Sequence, residues 1–394
     1  MATDSTPTRR TPIDGGPPLR VGFLQSKAQG VAYYRIQVPA AAASLAGIEV
    51  TVSDSLPLLN DASGTPVAAP PMDVDVLVYN LPLSRIGADS VPMLQAQGVA
   101  VVVEIDDDYE HVQSSHISAH AFDPEKSPET NWQHLRRAVE QADLLTCTTP
   151  AIARLYSDTG TPTRIVANYT PGFWLDHASV HQRPRTTPGS GRGVLMGWTG
   201  YVGIHPVDLQ ETGGAVAHVA AETGAAFGLV GHPEGVAEAL KLPAGSVEGT
   251  GWLSLKDYPR AVGLIDVGIV PLATSMFSES KSWLKGLEYA TLGVPFVASP
   301  TPAYVQLHEE YGLGILARTP KDWRRALTRL VTDPDLRLEI AARQQQVVRE
   351  KLTIEANVGR WIEAWRAAQA LRATAAGSPQ PSAIPAQQRA AAAV

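Results

Sequence analysis

A single cysteine, Cys147, stands in a chain of 394 residues. With no second thiol there is no disulfide framework and no cysteine-cluster metal site, and its apolar setting, LLTCTT, reads as a buried structural thiol. Long apolar runs are missing as well. The longest aliphatic stretch, VAVVVEI at 99–105, falls far short of the ~20 residues that a membrane-spanning helix needs. MATDSTPTRRTP at the start has no apolar core of the signal-peptide kind, so the expected location is the cytoplasm. Excess positive charge is also absent. The formal net charge is −7, which leaves no global basic field to draw the protein to nucleic acid or anionic membrane, although a local basic groove is compatible with it.

What is present is a globular composition, 44% hydrophobic and 18% charged, in a chain long enough for two cores. Residues 1–18 and 374–394 are rich in Pro with Thr and Gly or with Gln and Ala, without periodicity, and read as disordered tails. Between them short apolar strands alternate with helical segments. Strands are expected at 19–25, 49–54, 74–81, 99–106, 144–149 and 164–168, and, after a break, at 194–200, 226–232, near 246–252, 267–272, 295–300 and 312–317. The break, TPGFWLDHASVHQRPRTTPGSGR at 170–192, is the expected linker. Strands apolar throughout and spaced by helices imply parallel sheets covered on both faces. The fold expected is α/β, with two doubly wound Rossmann-like domains in tandem, 19–180 and 190–353, facing each other across a cleft. A last helix at 354–372 carries Trp361 and Trp365 one turn apart and completes the first domain.

Chemistry concentrates where such sheets expose their carboxyl ends. SESKSWLKGLEYATLGVP at 278–295 reads as one helix capped by Ser278 or Ser280, with Lys281, Lys285 and Glu288 on one face and Leu284 and Leu287 packed on the sheet. Two ammonium groups near a helix N-terminus suit a diphosphate, and a carboxylate suits a vicinal diol. A surface helix with i,i+4 ion pairs is the plainer alternative. GWTGYVGIHPVDL at 197–209 brings Gly200 and Gly203 into a strand-to-helix turn where backbone N–H groups can approach a phosphate. There Tyr201 and His205 face either the cleft or the helix start, and His205 and Asp208 can equally be capping residues. In VVVEIDDDYEHV, Asp106, Asp107 and Asp108 follow a buried strand. Three adjacent acids read as a solvated loop, as acceptor-orienting groups or as a divalent metal site. His111, His116 and His120 fall in a loop expected to be mobile.

The run SKSWLKGLEYATLGVPFVAS, preceded by IDVGIVPL, resembles the donor-binding segment of the family-4-like, group 1 glycosyltransferases of GT-B fold. In that family a glutamate of the pattern E-x7-E holds the ribose of a nucleotide sugar. Glu288 matches the second acid, while Ser280 stands where the first belongs. The resemblance implies transfer of a hexose or pentose from a UDP- or GDP-sugar to an acceptor hydroxyl, with retention, no permanently bound cofactor and no metal. It further implies a donor site of Gly200, Tyr201, Gly203, Asp208, Ser280, Lys281, Lys285 and Glu288, with Gly231, His232 and Trp252 near the base, Trp252 being open to a packing role instead. Asp106, Asp107 and His205 are the catalytic candidates. Gly30, Tyr34, Arg35 and Asp108 would face the acceptor, Gly30 by permitting a tight turn and Arg35 unless it is a plain surface residue. The acceptor is a small molecule, a glycan or, as in some phage-encoded relatives, modified DNA. Rival readings on the same fold are a sugar-nucleotide epimerase or hydrolase and a degenerate nucleotide-sugar binding module.

Overall fold

The computed structural model describes residues 15–26, 29–56, 58–176 and 193–377. The first of its two six-stranded sheets runs, in spatial order, Glu49–Ser53, Arg20–Leu24, Val76–Asn80, Ala100–Ile105, Leu144–Cys147, Thr163–Ile165. The second runs Glu248–Gly249, Ala226–Gly231, Leu195–Gly200, Val267–Val270, Phe296–Ala298, Ile315–Leu316. Every neighbouring pair in both is parallel. The central strands are largely apolar and buried because helices cover both faces, although Ala100–Ile105 also carries Glu104. Val101, Val102, Val103 and Ile105 have no exposed surface.

Strand order reverses between Arg20–Leu24 and Val76–Asn80 in the first sheet, and between Leu195–Gly200 and Val267–Val270 in the second. At such a reversal the helices diverge to opposite faces and leave a crevice beyond the carboxyl ends of the strands. A small antiparallel pair, Leu59–Asn60 with Pro66–Ala68, lies outside both sheets.

The last helix, Ile354–Gly377, returns to the first sheet. Trp365 meets Phe23 edge to face at 5.3 Å, and the Arg35 guanidinium lies 4.3 Å from the Trp361 ring centre. Trp361, Ile362, Trp365 and Ala368 are at most 1% exposed. Their spacing makes one apolar stripe, and burying it ties the end of the chain to its beginning.

Three expectations change. The segment at 278–295 is two helices, Met276–Ser280 and Leu284–Thr291, and the extended Lys281 (ψ 139°) breaks them apart. Ser275 caps the first by accepting from the Ser278 N–H, and the second has no side-chain cap. Residues 170–176 are also no linker. Trp174 is fully buried, and the Thr170 and Thr291 hydroxyls bond at 2.8 Å; the rest of the expected linker lies outside the described residues. Residues 374–377 continue the last helix, where a tail was expected.

Candidate active site between the two sheets

The two crevices open into one cavity of about 740 Å³. First-half residues in its wall include Tyr34, Asp106 and Asn168, and second-half residues include Thr199, His205, Trp252, Tyr258, Lys285 and Glu288. Cross-sheet hydrogen bonds hold the walls together. Thr149 Oγ1 donates to the Ser280 carbonyl at 3.0 Å, Asn168 Nδ2 to Ser282 Oγ at 2.8 Å, and Trp283 Nε1 to the Asn168 carbonyl at 3.0 Å. The chain leaves helix at 281–283, where these bonds cluster, and the break separates the fates of the two lysines.

Lys285, in the first turn of its helix, donates to His205 Nε2 at 3.0 Å, and His205 Nδ1 bonds Asp208 Oδ2 at 2.7 Å. The other Asp208 oxygen accepts from the Ala273 N–H at 2.9 Å, which fixes the carboxylate. Burial and the neighbouring Lys285 push His205 down to about 3, so the ring is neutral, with its proton on Nδ1 and its Nε2 lone pair toward the lysine. Burial likewise lowers Lys285 to about 8, against the pull of Asp208. His205 and Asp208 are therefore not helix caps but the back of a lysine-holding chain. An ammonium has three donors; the one given to His205 leaves two.

Lys281 instead crosses to the first half and pairs with Asp107 at 2.5 Å. Glu288 is 4% exposed and is held from both halves: Tyr34 donates to Oε1 at 2.5 Å and Tyr258 to Oε2 at 2.8 Å. Burial raises its carboxyl to about 7, with both tyrosines and Lys285 opposing the shift.

The acid run on the first sheet disperses. Asp106 borders the cavity with one oxygen accepting from Tyr109 at 2.9 Å, and burial together with Asp107 raises it to about 6. Asp107 goes to Lys281. Asp108 is 2% exposed and turns back on its own loop, accepting from the Glu110 and His111 N–H groups and bonding His111 Nδ1 at 2.9 Å. The acceptor role expected of Asp108 does not survive this, because its lone pairs are used in the turn. Among the described residues no cluster of His, Cys, Asp and Glu has a metal-holding arrangement.

Arg35 touches the cavity, but its guanidinium is committed elsewhere. It pairs with Glu104 at 2.7 Å and donates to the Val166 carbonyl and Asn168 Oδ1. The residue has no exposed surface, so it is a buried strut rather than a surface or acceptor-facing group. Gly30 borders the cavity from a helical turn without a left-handed φ, so no tight turn requires it.

On the second sheet Gly200 and Gly231 sit side by side at the strand ends. Gly231 has φ +145°, and a Cβ there would stand 1.9 Å from the Gly200 carbonyl oxygen, so backbone alone fits that wall. Tyr201, His232 and Trp252 form an edge-to-face row at 5.5 Å spacings, with Trp252 70% exposed at the cavity mouth, which rules out a packing role. Gly203 takes no part in the wall; its carbonyl accepts from the Ile117 N–H at 2.7 Å. That bond, with Gln113 on Ser275 and His116 against Phe277, shows the His111–His120 loop docked on the second half instead of free. Ser280 Oγ is turned onto its own helix, accepted by the Met276 carbonyl.

Tyr258, Asn168 and Thr199 went unnoticed in the sequence. Tyr258 lies in the GTGWLSLKDY loop beside Trp252, but only the packing of that loop against Glu288 marks it.

Residues 215–363 match the family model described as glycosyl transferase-like. No curated protein matches the chain. Among solved structures, sucrose-phosphate synthase from Thermosynechococcus elongatus superposes with a TM-score of 0.56 at 12% identity, over 88% of this chain and 98% of that one. Anabaena HepE in complex with UDP and glucose gives 0.57 at 14% identity, over 88% and 98%. The catalytic domain of starch synthase IV from Arabidopsis thaliana, bound to ADP and acarbose, gives 0.58 at 10% identity, over 90% and 100%. At these identities the likeness is one of fold, and that fold is GT-B.

Proposed function

We propose that the chain, with a glycosyl transferase-like domain at 215–363 on a GT-B fold, is a glycosyltransferase that moves a sugar from a nucleoside-diphosphate sugar to an acceptor hydroxyl in the cytoplasm. The observation that carries this reading is the Asp208–His205–Lys285 chain, which ends in the same cavity as Glu288 and Asp106. The second half holds the donor. UDP and ADP in the two similar structures fit a site of this kind. The two free N–H donors of Lys285, with the bare backbone at Gly200 and Gly231, meet the diphosphate. Each Glu288 oxygen keeps a lone pair beside its tyrosine for the ribose diol, and the base lies toward Trp252.

As the bond from the anomeric carbon to the diphosphate breaks, negative charge develops on the leaving oxygens beside the Lys285 ammonium. The acceptor hydroxyl, oriented by Asp106, forms the new bond, and its proton passes to the departing diphosphate. That sequence fits retention and needs no metal. Lys281 now has a smaller part than Lys285, since Asp107 neutralises its charge.

A thermal-shift panel of nucleotide sugars tests the reading. One donor should stabilise the protein, Lys285→Ala and Glu288→Ala should remove that shift, and chelator should leave it intact. Retention of the shift in both variants defeats the proposed donor site. Rapid donor hydrolysis or epimerisation without acceptor defeats the transferase reading.

A further inference from the structure

A second cavity, of about 520 Å³, lies between the same two halves but shares none of its lining with the first. Its volume falls in the ~300–1,000 Å³ range of small-molecule sites. Arg154 and Arg360 reach it from the first sheet's side and the last helix, and Glu279 and Glu310 from the second half. All four are exposed, and neither guanidinium enters an ion pair or hydrogen bond among the described residues. The apolar wall is aromatic: Trp283 and Tyr311 meet edge to face at 6.1 Å, with Tyr169 beside them.

Two guanidiniums and two carboxylates sum to no net charge, which disfavours both a phosphate-sized anion and a metal cation. A sugar hydroxyl both donates and accepts, so it can use a guanidinium and a carboxylate at once. The C–H face of a pyranose matches the part-exposed ring of Tyr311, which Trp283 and Tyr169, both buried, hold in place. We propose that this cavity is an accessory site for a short neutral oligosaccharide, separate from the donor cleft.

Its position couples it to the cleft. Thr148, in its wall, donates from Oγ1 to the Asp106 carbonyl at 2.8 Å. Trp283, also in the wall, stands two residues before Lys285 and bonds the Asn168 carbonyl across the halves. A saccharide in contact with both halves strengthens their closed arrangement by binding it preferentially.

The test is calorimetric titration of the full chain with maltotriose, with cellotriose and with inorganic phosphate, repeated on Arg154→Ala/Arg360→Ala. Because both arginines are exposed, the double variant should keep the wild-type melting midpoint. At least one trisaccharide should bind at millimolar concentration or better. The double variant should weaken it about tenfold, equivalent to ~1.4 kcal/mol, with UDP affinity in the absence of saccharide within about twofold of wild type, because neither arginine lines the cleft. Absence of trisaccharide binding, unchanged binding in the variant, or displacement of the trisaccharide by phosphate would each overturn the proposal.

Discussion

The two sheets face the cavity with charged groups of opposite design. On the second sheet the charges are strung in line. Asp208 fixes His205, His205 fixes Lys285, and Lys285 ends in the cleft with donors to spare. On the first sheet three consecutive aspartates scatter, with Asp106 at the cavity, Asp107 on Lys281 of the other half, and Asp108 folded into its own turn. A line of partners concentrates one charge at one point. The scattered acids instead close the molecule and shape a loop. The second sheet's side is therefore built to concentrate charge at one point, and the first sheet's side to hold geometry.

Arg35 should break the comparison most severely, as a structural member of the first half. Its guanidinium is sealed against Glu104 and Asn168, under Trp361. Arg35→Ala leaves Glu104 unpaired in the core and should lower unfolding free energy by ~3–5 kcal/mol. Urea denaturation measures this, and the surviving folded fraction should still bind UDP. Wild-type stability in this variant would mean that Arg35 serves the site after all.

Lys285 is the corresponding test of the second half. Lys285→Ala should reduce kcat/KM by ~10²–10³-fold, the scale for losing one preorganised donor to a developing anion. The pH profile sharpens the assignment. With Lys285 near 8, activity should fall as pH rises through that value and the ammonium is lost. With Asp106 near 6 and Glu288 near 7, it should rise with pH through that range as the carboxylates ionise. Lys285→Arg, which stays charged, should retain the acid limb and push the alkaline limb upward. An alkaline limb unmoved by the arginine would assign it to another group.

How far these roles were legible depends on range. The central strands could be read because each is a short, mostly apolar run, and burial on both faces leaves that signature in consecutive residues. Lys285 and Glu288 were legible because one helix carries both at fixed spacing. The break at Lys281 was not, since the contacts beside it are long-range, the Trp283–Asn168 bond spanning 115 positions. Arg35 was misread for the same reason. Nothing near Tyr34–Arg35 announces that Glu104 and Trp361 will enclose the guanidinium. Sequence pattern shows which residues carry chemistry, whereas the partner that consumes a charge comes from another strand.

Asp107 links the two designs, since its pair with Lys281 joins the halves. Asp107→Asn should loosen closure at a cost of ~1 kcal/mol, as for partly exposed pairs. The expected reading is a KM for the donor raised about fivefold with kcat little changed, and a larger radius of gyration by X-ray scattering. A fall in kcat at constant KM would instead place Asp107 in the chemistry.

Tyr34 gives the finest discrimination, because it is a first-half residue touching the second-half carboxylate Glu288. Tyr34→Phe removes only the hydroxyl on Glu288 and keeps the ring against Trp174 at 6.2 Å. Tyr258 still donates to the other oxygen. Losing one such bond costs ~0.5–1.5 kcal/mol, so donor affinity should fall about threefold. The lost hydrogen bond favoured ionised Glu288, so the acid limb of the pH profile should also move to higher pH. If donor affinity rose instead, Tyr34 would be competing with the ribose for Glu288, and the contact would be a plug across the cleft rather than a brace for the carboxylate.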